Sequence, residues 1–249
     1  MPYTRHYLSF TIHPNIVPVY ILCHLLAGVL VGVLLTFWRK ERWLILAAAI
    51  GSVLPDLIDK PVGYIVLADS VNFGRIYVHS LVVLLLFFIA GVIIWRYYRS
   101  FIGMALALGI LSHQLLDLMW EEYWNWLWPF FGPFHGKIFE NFFADGFWRE
   151  ITNPSEWIFA AAVLLVLITI YRFRGSGIIH RNTGLFMALS WVLTGIVVVC
   201  GIAILYCGVT GVYCILTGWD HSIDNALAGM LLLAGGLLCG WGSRVRAGD

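Results

Sequence analysis

The residues best suited to chemistry are grouped around the stretch Ser112-His113-Gln114-Leu115-Leu116-Asp117. His113 and Asp117 are four apart, so on a helix one lies above the other on the same face. Neutral imidazole and carboxylate both ligate metals, and this spacing presents two ligands together. The pair sits near the end of an apolar run, Phe101 to Trp120. An ionisable pair in a membrane helix is costly and marks a functional site by default. The alternative is a buried His–Asp hydrogen bond that joins two helices. Other ionisable residues in apolar surroundings are His24, Asp56, Asp59, His79 with Arg75 one turn earlier, and Glu156.

The elements that must position them are membrane helices. Of the 249 residues, 61% are hydrophobic and 12% charged, against about 25% charged in soluble domains. The expectation is an all-α polytopic helix bundle forming one integral membrane domain over residues 1–249. A span needs about 20 apolar residues. Seven candidates follow: Val17–Trp38, Trp43 to about Leu57, Ile76–Tyr98, Phe101–Trp120, Trp157–Phe173, Leu185–Cys207 and Asn225–Trp241. The second is shorter and closed by Pro55-Asp56. Pro61 to Leu67 is a candidate interfacial dip. Glu121 to Pro154, rich in aromatic residues, Pro and Gly, reads as an outer cap with short helices. The bundle that would build the site runs over about 17–173, including the cap at 121–154. A polar-poor two-span extension follows over about 184–241.

Net charge is +1, which gives no pull towards nucleic acid. The twelve Trp and sixteen Phe suit interfacial belts and lipid contact. The five cysteines are odd in number, lie in apolar runs and form no CxxC, so neither a disulfide framework nor a thiolate metal site is expected. Cys200, Cys207 and Cys214, seven apart, read as small packing residues. The first apolar run is long enough to span and lacks small-residue cleavage signals, so no cleavable signal peptide is expected.

Lys and Arg in short loops set orientation. Arg39, Lys40 and Arg42 follow the first span, Arg96 and Arg99 the third, Arg172, Arg174 and Arg181 the fifth, and Arg244 and Arg246 the seventh. Seven alternating spans put all of these on one side. The amino terminus is therefore expected outside and the carboxyl terminus in the cytoplasm. On that topology His24 lies roughly 9 Å below the outer surface, at about 1.5 Å per residue. Asp56 and Asp59 end the second span, His79 falls in the first turn of the third, His113 and Asp117 in the last turns of the fourth, and Glu156 opens the fifth. Five segments bring imidazole or carboxylate to one depth.

That set is mixed N/O and suits Zn²⁺, with Mn²⁺ or Fe²⁺ as alternatives. The expected metal ligands are His24, Asp56, His79, His113, Asp117 and Glu156. They exceed what one tetrahedral ion needs, so two or more ions are expected. Asp56 or Asp117 is the expected bridging carboxylate, and Arg75 is suited to an anionic group such as phosphate. Simpler roles stand beside these. His24 can be a hydrogen-bonded helix contact, Asp56 a turn cap, His79 a helix anchor, and Glu156 a first-turn acid favoured by the helix dipole. Asp59 reads as a surface ion pair with Lys60. His6, His13, His180 and His221 read as solvated. Glu121, Glu122, His135, Glu140 and Asp145 fall in the cap, where surface roles are expected, with substrate contact or an extra metal ligand as the alternatives.

The order His24, Leu54-Pro55-Asp56, Arg75-x-x-x-His79-Ser80 and Ser112-His113-x-x-x-Asp117 resembles the YdjM-like family of predicted membrane-bound metal-dependent hydrolases. The resemblance covers roughly residues 20 to 160. Gly74 stands where the family's segment begins with His, Ile76 replaces its Gly, and the second acid of the PD turn, Asp59, comes one place late. The succession of His, Asp, His and HxxxD is also similar to zinc-dependent phospholipases C, which implies a phosphoester substrate. The expected function is metal-dependent hydrolysis of a membrane lipid or lipid-linked phosphoester at the outer leaflet of a prokaryotic inner or plasma membrane. Asp56, Asp117 and Arg75 are the expected catalytic residues. The alternatives are a divalent-cation or proton-coupled transporter and a metal-stapled membrane scaffold.

Overall fold

The computed structural model describes residues 21–135, 147–173 and 183–245. They form helices and turns, without a β-strand among the described residues. In order the helices are α1 (Ile21–Arg39), α2 (Leu44–Pro61), α3 (Leu81–Tyr98), α4 (Ile102–Leu116), α5 (Tyr123–Trp126), α6 (Phe147–Thr152), α7 (Pro154–Phe173), α8 (Thr183–Thr210) and α9 (Ser222–Val245). A π-helical turn, Val62–Val66, continues α2. Among the described residues, four helices are long and apolar enough to cross a membrane: α1, α3, α8 from Ala188, and α9 to Trp241. α4 and α7 contain shorter apolar stretches. α3 and α8 expose rows of large apolar side chains, such as Leu85, Leu86, Ile89, Val92, Ile196, Val199 and Ile202. Helices apolar all round belong in lipid.

α1, α2 and α4 pack against one another to build the part that matters. Lipid gives little hydrophobic drive between helices, so close backbone approach through small residues must supply the packing. A side chain at Gly28 would collide with Ser52 and the Ala48 carbonyl. One at Gly51 would strike the Leu106 backbone, and one at Gly109 the Ala48 carbonyl. Gly109→Leu is therefore expected to force α2 and α4 apart. Overpacking costs about 1–3 kcal/mol, so the melting temperature in detergent should fall clearly; an unchanged one would refute the close-approach account.

α7 and α9 flank α1, and α8 joins mainly through α9. Leu26, Phe159, Val166, Leu232 and Cys239 are buried in their shared core. At the end of the bundle away from His24, the Glu41 carboxylate accepts from Ser100 Oγ and Phe101 N, both at 3.3 Å. This ties the α1–α2 turn to the α3–α4 turn.

Three boundaries differ from the sequence reading. α2 does not close at Pro55 but runs six residues further; membrane helices tolerate an internal Pro where neighbours resatisfy the backbone. Residues 76–80 are not helical, so His79 precedes α3 instead of lying in its first turn. The reason is Asp59: its Oδ2 accepts from the amides of Ile76, Val78 and His79 at 3.2, 2.8 and 3.0 Å. Ser80 then caps α3 by accepting from Val83 N. α4 stops at Leu116 with Asp117 as its cap, yet the Asp117 amide still donates to the His113 carbonyl at 2.9 Å. The expected one-face pairing survives. Of the cap, α5 and α6 are the short helices foreseen; Glu140 and Asp145 lie outside the described residues.

Candidate metal centre

The site forms where the carboxyl end of α2, the turn before α3 and the carboxyl end of α4 meet the amino-terminal part of α1. His24, Asp56, Asp59, Arg75, His79, His113 and Asp117 are all buried there. Asp56, His79, His113 and Asp117 each offer one ligand atom, and these four atoms lie within 4.8 Å of one another.

The imidazoles have an unusual relation. His79 Nδ1 lies 2.8 Å from Asp59 Oδ2, and His113 Nδ1 lies 2.7 Å from the Ser52 carbonyl oxygen. Carboxylate and carbonyl oxygens only accept, so both Nδ1 atoms carry the proton. In the neutral rings both Nε2 atoms are then bare lone pairs. Yet His79 Nε2 and His113 Nε2 are 3.0 Å apart. Two facing lone pairs at that distance require a positive charge, a proton or a metal ion.

The oxygens beside them would complete the donor set of a metal. Asp117 Oδ2 is 3.4 Å from His79 Nε2 and 3.5 Å from His113 Nε2. Asp56 Oδ1 is 3.8 Å from each. Two ligands on one tetrahedral ion at about 2.0 Å sit roughly 3.3 Å apart. Two nitrogens and two oxygens at such spacing form a donor set that fits one divalent ion. The charges agree: Asp56, Asp59 and Asp117 outnumber Arg75 and Lys60.

The next ring of contacts holds the ligands in place. Asp59 is fully buried. It is not the surface partner of Lys60, because Lys60 Nζ binds Asp56 Oδ2 at 2.9 Å. Instead it orients His79, forming the carboxylate–histidine arrangement that fixes the tautomer of a metal-binding ring. Arg75 Nε lies 2.9 Å from Asp117 Oδ2. Burial opposes the Arg75 charge, but Asp117, Glu122 and Asp56 outweigh it, and its pKa stands above the ordinary value. Gln114 was not foreseen. Its Nε2 donates to the carbonyls of Val78 at 3.1 Å and Ser80 at 3.4 Å, while its Oε1 accepts from Trp126 Nε1 at 2.9 Å. It clasps the His79 turn and the aromatic cap together. A Gln beside a candidate ligand on a membrane helix was the available signal.

His24 stacks on His113, centroids 3.9 Å apart, and places its Nε2 3.3 Å from Asp117 Oδ1. It faces the oxygen of Asp117 that the other two imidazoles do not use. Glu156 is buried in the first turn of α7 and accepts from Leu22 N at 3.2 Å, two residues before His24. Asp224, in the first turn of α9, is also buried at this end. His221, expected to be solvated, lies with its Nδ1 3.2 Å from Asp224 Oδ2. His135 is exposed; its backbone pairs with the Asn125 side chain. His6, His13 and His180 lie outside the described residues.

Among known proteins, the family model described as YdjM inner membrane protein matches residues 20–212. That stretch includes every residue of the buried group and Glu156, while α9 falls beyond it. Comparison with curated proteins gave no match, and neither did comparison with solved structures.

Proposed function

The chain belongs to the YdjM inner membrane protein family, and from that premise we propose that it is a membrane-embedded metal-dependent hydrolase. The observation that carries the reading is the pair of Nε2 atoms 3.0 Å apart, flanked by Asp56 and Asp117. Asp56, His79, His113 and Asp117 would hold the first ion, preferably Zn²⁺, with Mn²⁺ or Fe²⁺ as alternatives. Asp117 offers its other oxygen towards His24, which supports a second ion held by His24, Asp117 and Glu156. Bound metal would supply Lewis acidity and make water a nucleophile near neutral pH.

The rest falls to side chains. Arg75 has five N–H donors; one meets Asp117, and the others are available to a phosphoryl group. Asp56 and Asp117 are the carboxylates that take the proton from attacking water. The substrate is a lipid or lipid-linked phosphoester, because the site lies at one end of the bundle beneath a cap of exposed aromatic residues, including Trp120, Trp124 and Phe130. The basic loops at the opposite end support an outer-face site, in a reading with the amino terminus outside, the carboxyl terminus cytoplasmic and seven spans between. Among the described residues, every buried His, Asp, Glu and Arg side chain lies at the site end. This favours a closed reaction site over a transport path, which needs polar groups along its length.

The test is hydrolysis of phospholipid vesicles by zinc-reloaded protein, followed as released phosphorylated headgroup. Chelation should abolish it. Arg75→Gln should lower turnover roughly 10²–10³-fold, the usual cost of one lost anion donor, at zinc concentrations high enough to keep the site filled. No headgroup release by the zinc-loaded protein, or release that survives both treatments, would sink the reading of a metal-dependent hydrolase.

A further inference from the structure

α8 ends in a hairpin that brings two thiols together. Gly211 adopts a left-handed conformation with φ of 70°, and its amide donates to the Cys207 carbonyl at 2.9 Å. Glycine suits that position, since a Cβ is penalised there. The chain turns back, and Cys207, in the last turn of α8, packs against the buried cluster that includes Cys214, so that the two thiols interact. The returning segment is held firmly. Cys214 N donates to the Trp219 carbonyl at 2.9 Å, and Gly218 N to the Cys214 carbonyl at 2.7 Å. The spacing of seven read as packing; the turn at Gly211 is what makes the two residues neighbours.

We propose that Cys207 and Cys214 form a disulfide. This rests on the reading that the site end faces the outer compartment, because disulfides persist outside the cytosol and not within it. The two thiols lose two protons and two electrons as the S–S bond forms. A protein disulfide of the outer compartment accepts them and becomes a dithiol. Cys207 is the more exposed of the two, so it is the one that meets the incoming disulfide, forming a mixed disulfide. Cys214 then displaces the partner thiol and closes the bond.

The bond would brace the metal centre. Asn153 Nδ2 donates to the Thr217 carbonyl in the same hairpin at 2.7 Å. Asn153 Oδ1 in turn accepts from the Ser155 amide at 2.9 Å, one residue before Glu156. The hairpin therefore steadies the start of α7.

The experiment uses the full chain in its native membrane. Thiols are blocked with a maleimide in denaturing detergent, then the protein is reduced and tagged with a polyethylene-glycol maleimide. Two tags should appear after reduction in the wild type, and none in Cys207→Ser or Cys214→Ser. Cys200→Ser should keep both. A reporter at the carboxyl terminus is read in parallel. A reduced pair with a cytoplasmic reporter would overturn the disulfide alone. A reduced pair with an external reporter would overturn the orientation, and the disulfide with it.

Discussion

Purified protein should carry a divalent metal, and His113→Ala should lose it. His113 contributes a nitrogen 3.0 Å from that of His79 and within 3.8 Å of oxygens from both aspartates. Removing it deletes one of four donors. Loss of an outer-shell partner alone typically costs 10–100-fold in metal affinity, so losing a ligand should cost at least about 100-fold. Metal per protein, measured after dialysis against weak chelator, should fall to background. Folding should suffer less, because alanine is neutral, small and a good helix former, although a cavity beside His24 remains. The measurement also separates the two candidate charges between the imidazoles. If a shared proton were the bridge, the wild type would carry no stoichiometric metal, and the site would be a polar staple between helices.

Much of this centre was legible in the sequence, and the reasons are local. A spacing of four on a helix places His113 and Asp117 together wherever the helix goes. Depth along a span follows from residue count, so His24 and Asp56 could be brought to one level without knowledge of their neighbours. What stayed hidden depends on direction around an axis and on departures from helix. Asp59 sits beside Lys60 in the chain, which suggested an ion pair. On a helix consecutive residues do not face each other; Lys60 reaches back four places to Asp56, leaving Asp59 to point inward. The apolar residues Ile76 and Val78 read as the start of a span. Their amides instead serve a carboxylate 17 and 19 residues earlier, and no periodicity reports that. The nearness of Cys207 and Cys214 stayed hidden for the same reason, since only the reversal at Gly211 creates it.

The second large effect is expected at Asp59, and it tests whether support matters as much as ligation. One oxygen, Oδ2, accepts three backbone amides and the His79 ring N–H, between 2.8 and 3.2 Å. Asp59→Ala removes all four acceptor contacts in a fully buried place. Each orphaned buried donor costs about 1–3 kcal/mol, so the 76–80 turn should not keep its shape. His79 would also lose what fixes its tautomer, and its Nε2 would no longer be held towards the other ligands. Metal affinity should fall roughly 10–100-fold, although Asp59 is not itself one of the four donors. Asp59→Asn makes the comparison informative. Its amide oxygen can still accept where Oδ2 does, so the turn should survive while the negative charge is lost. The expected order of metal affinity is wild type, then Asn, then Ala, with melting temperature in the same order. Should Asp59→Ala bind metal as tightly as the wild type, His79 would be positioned by something other than this carboxylate. The account of why α3 begins only at Leu81 would then fall with it.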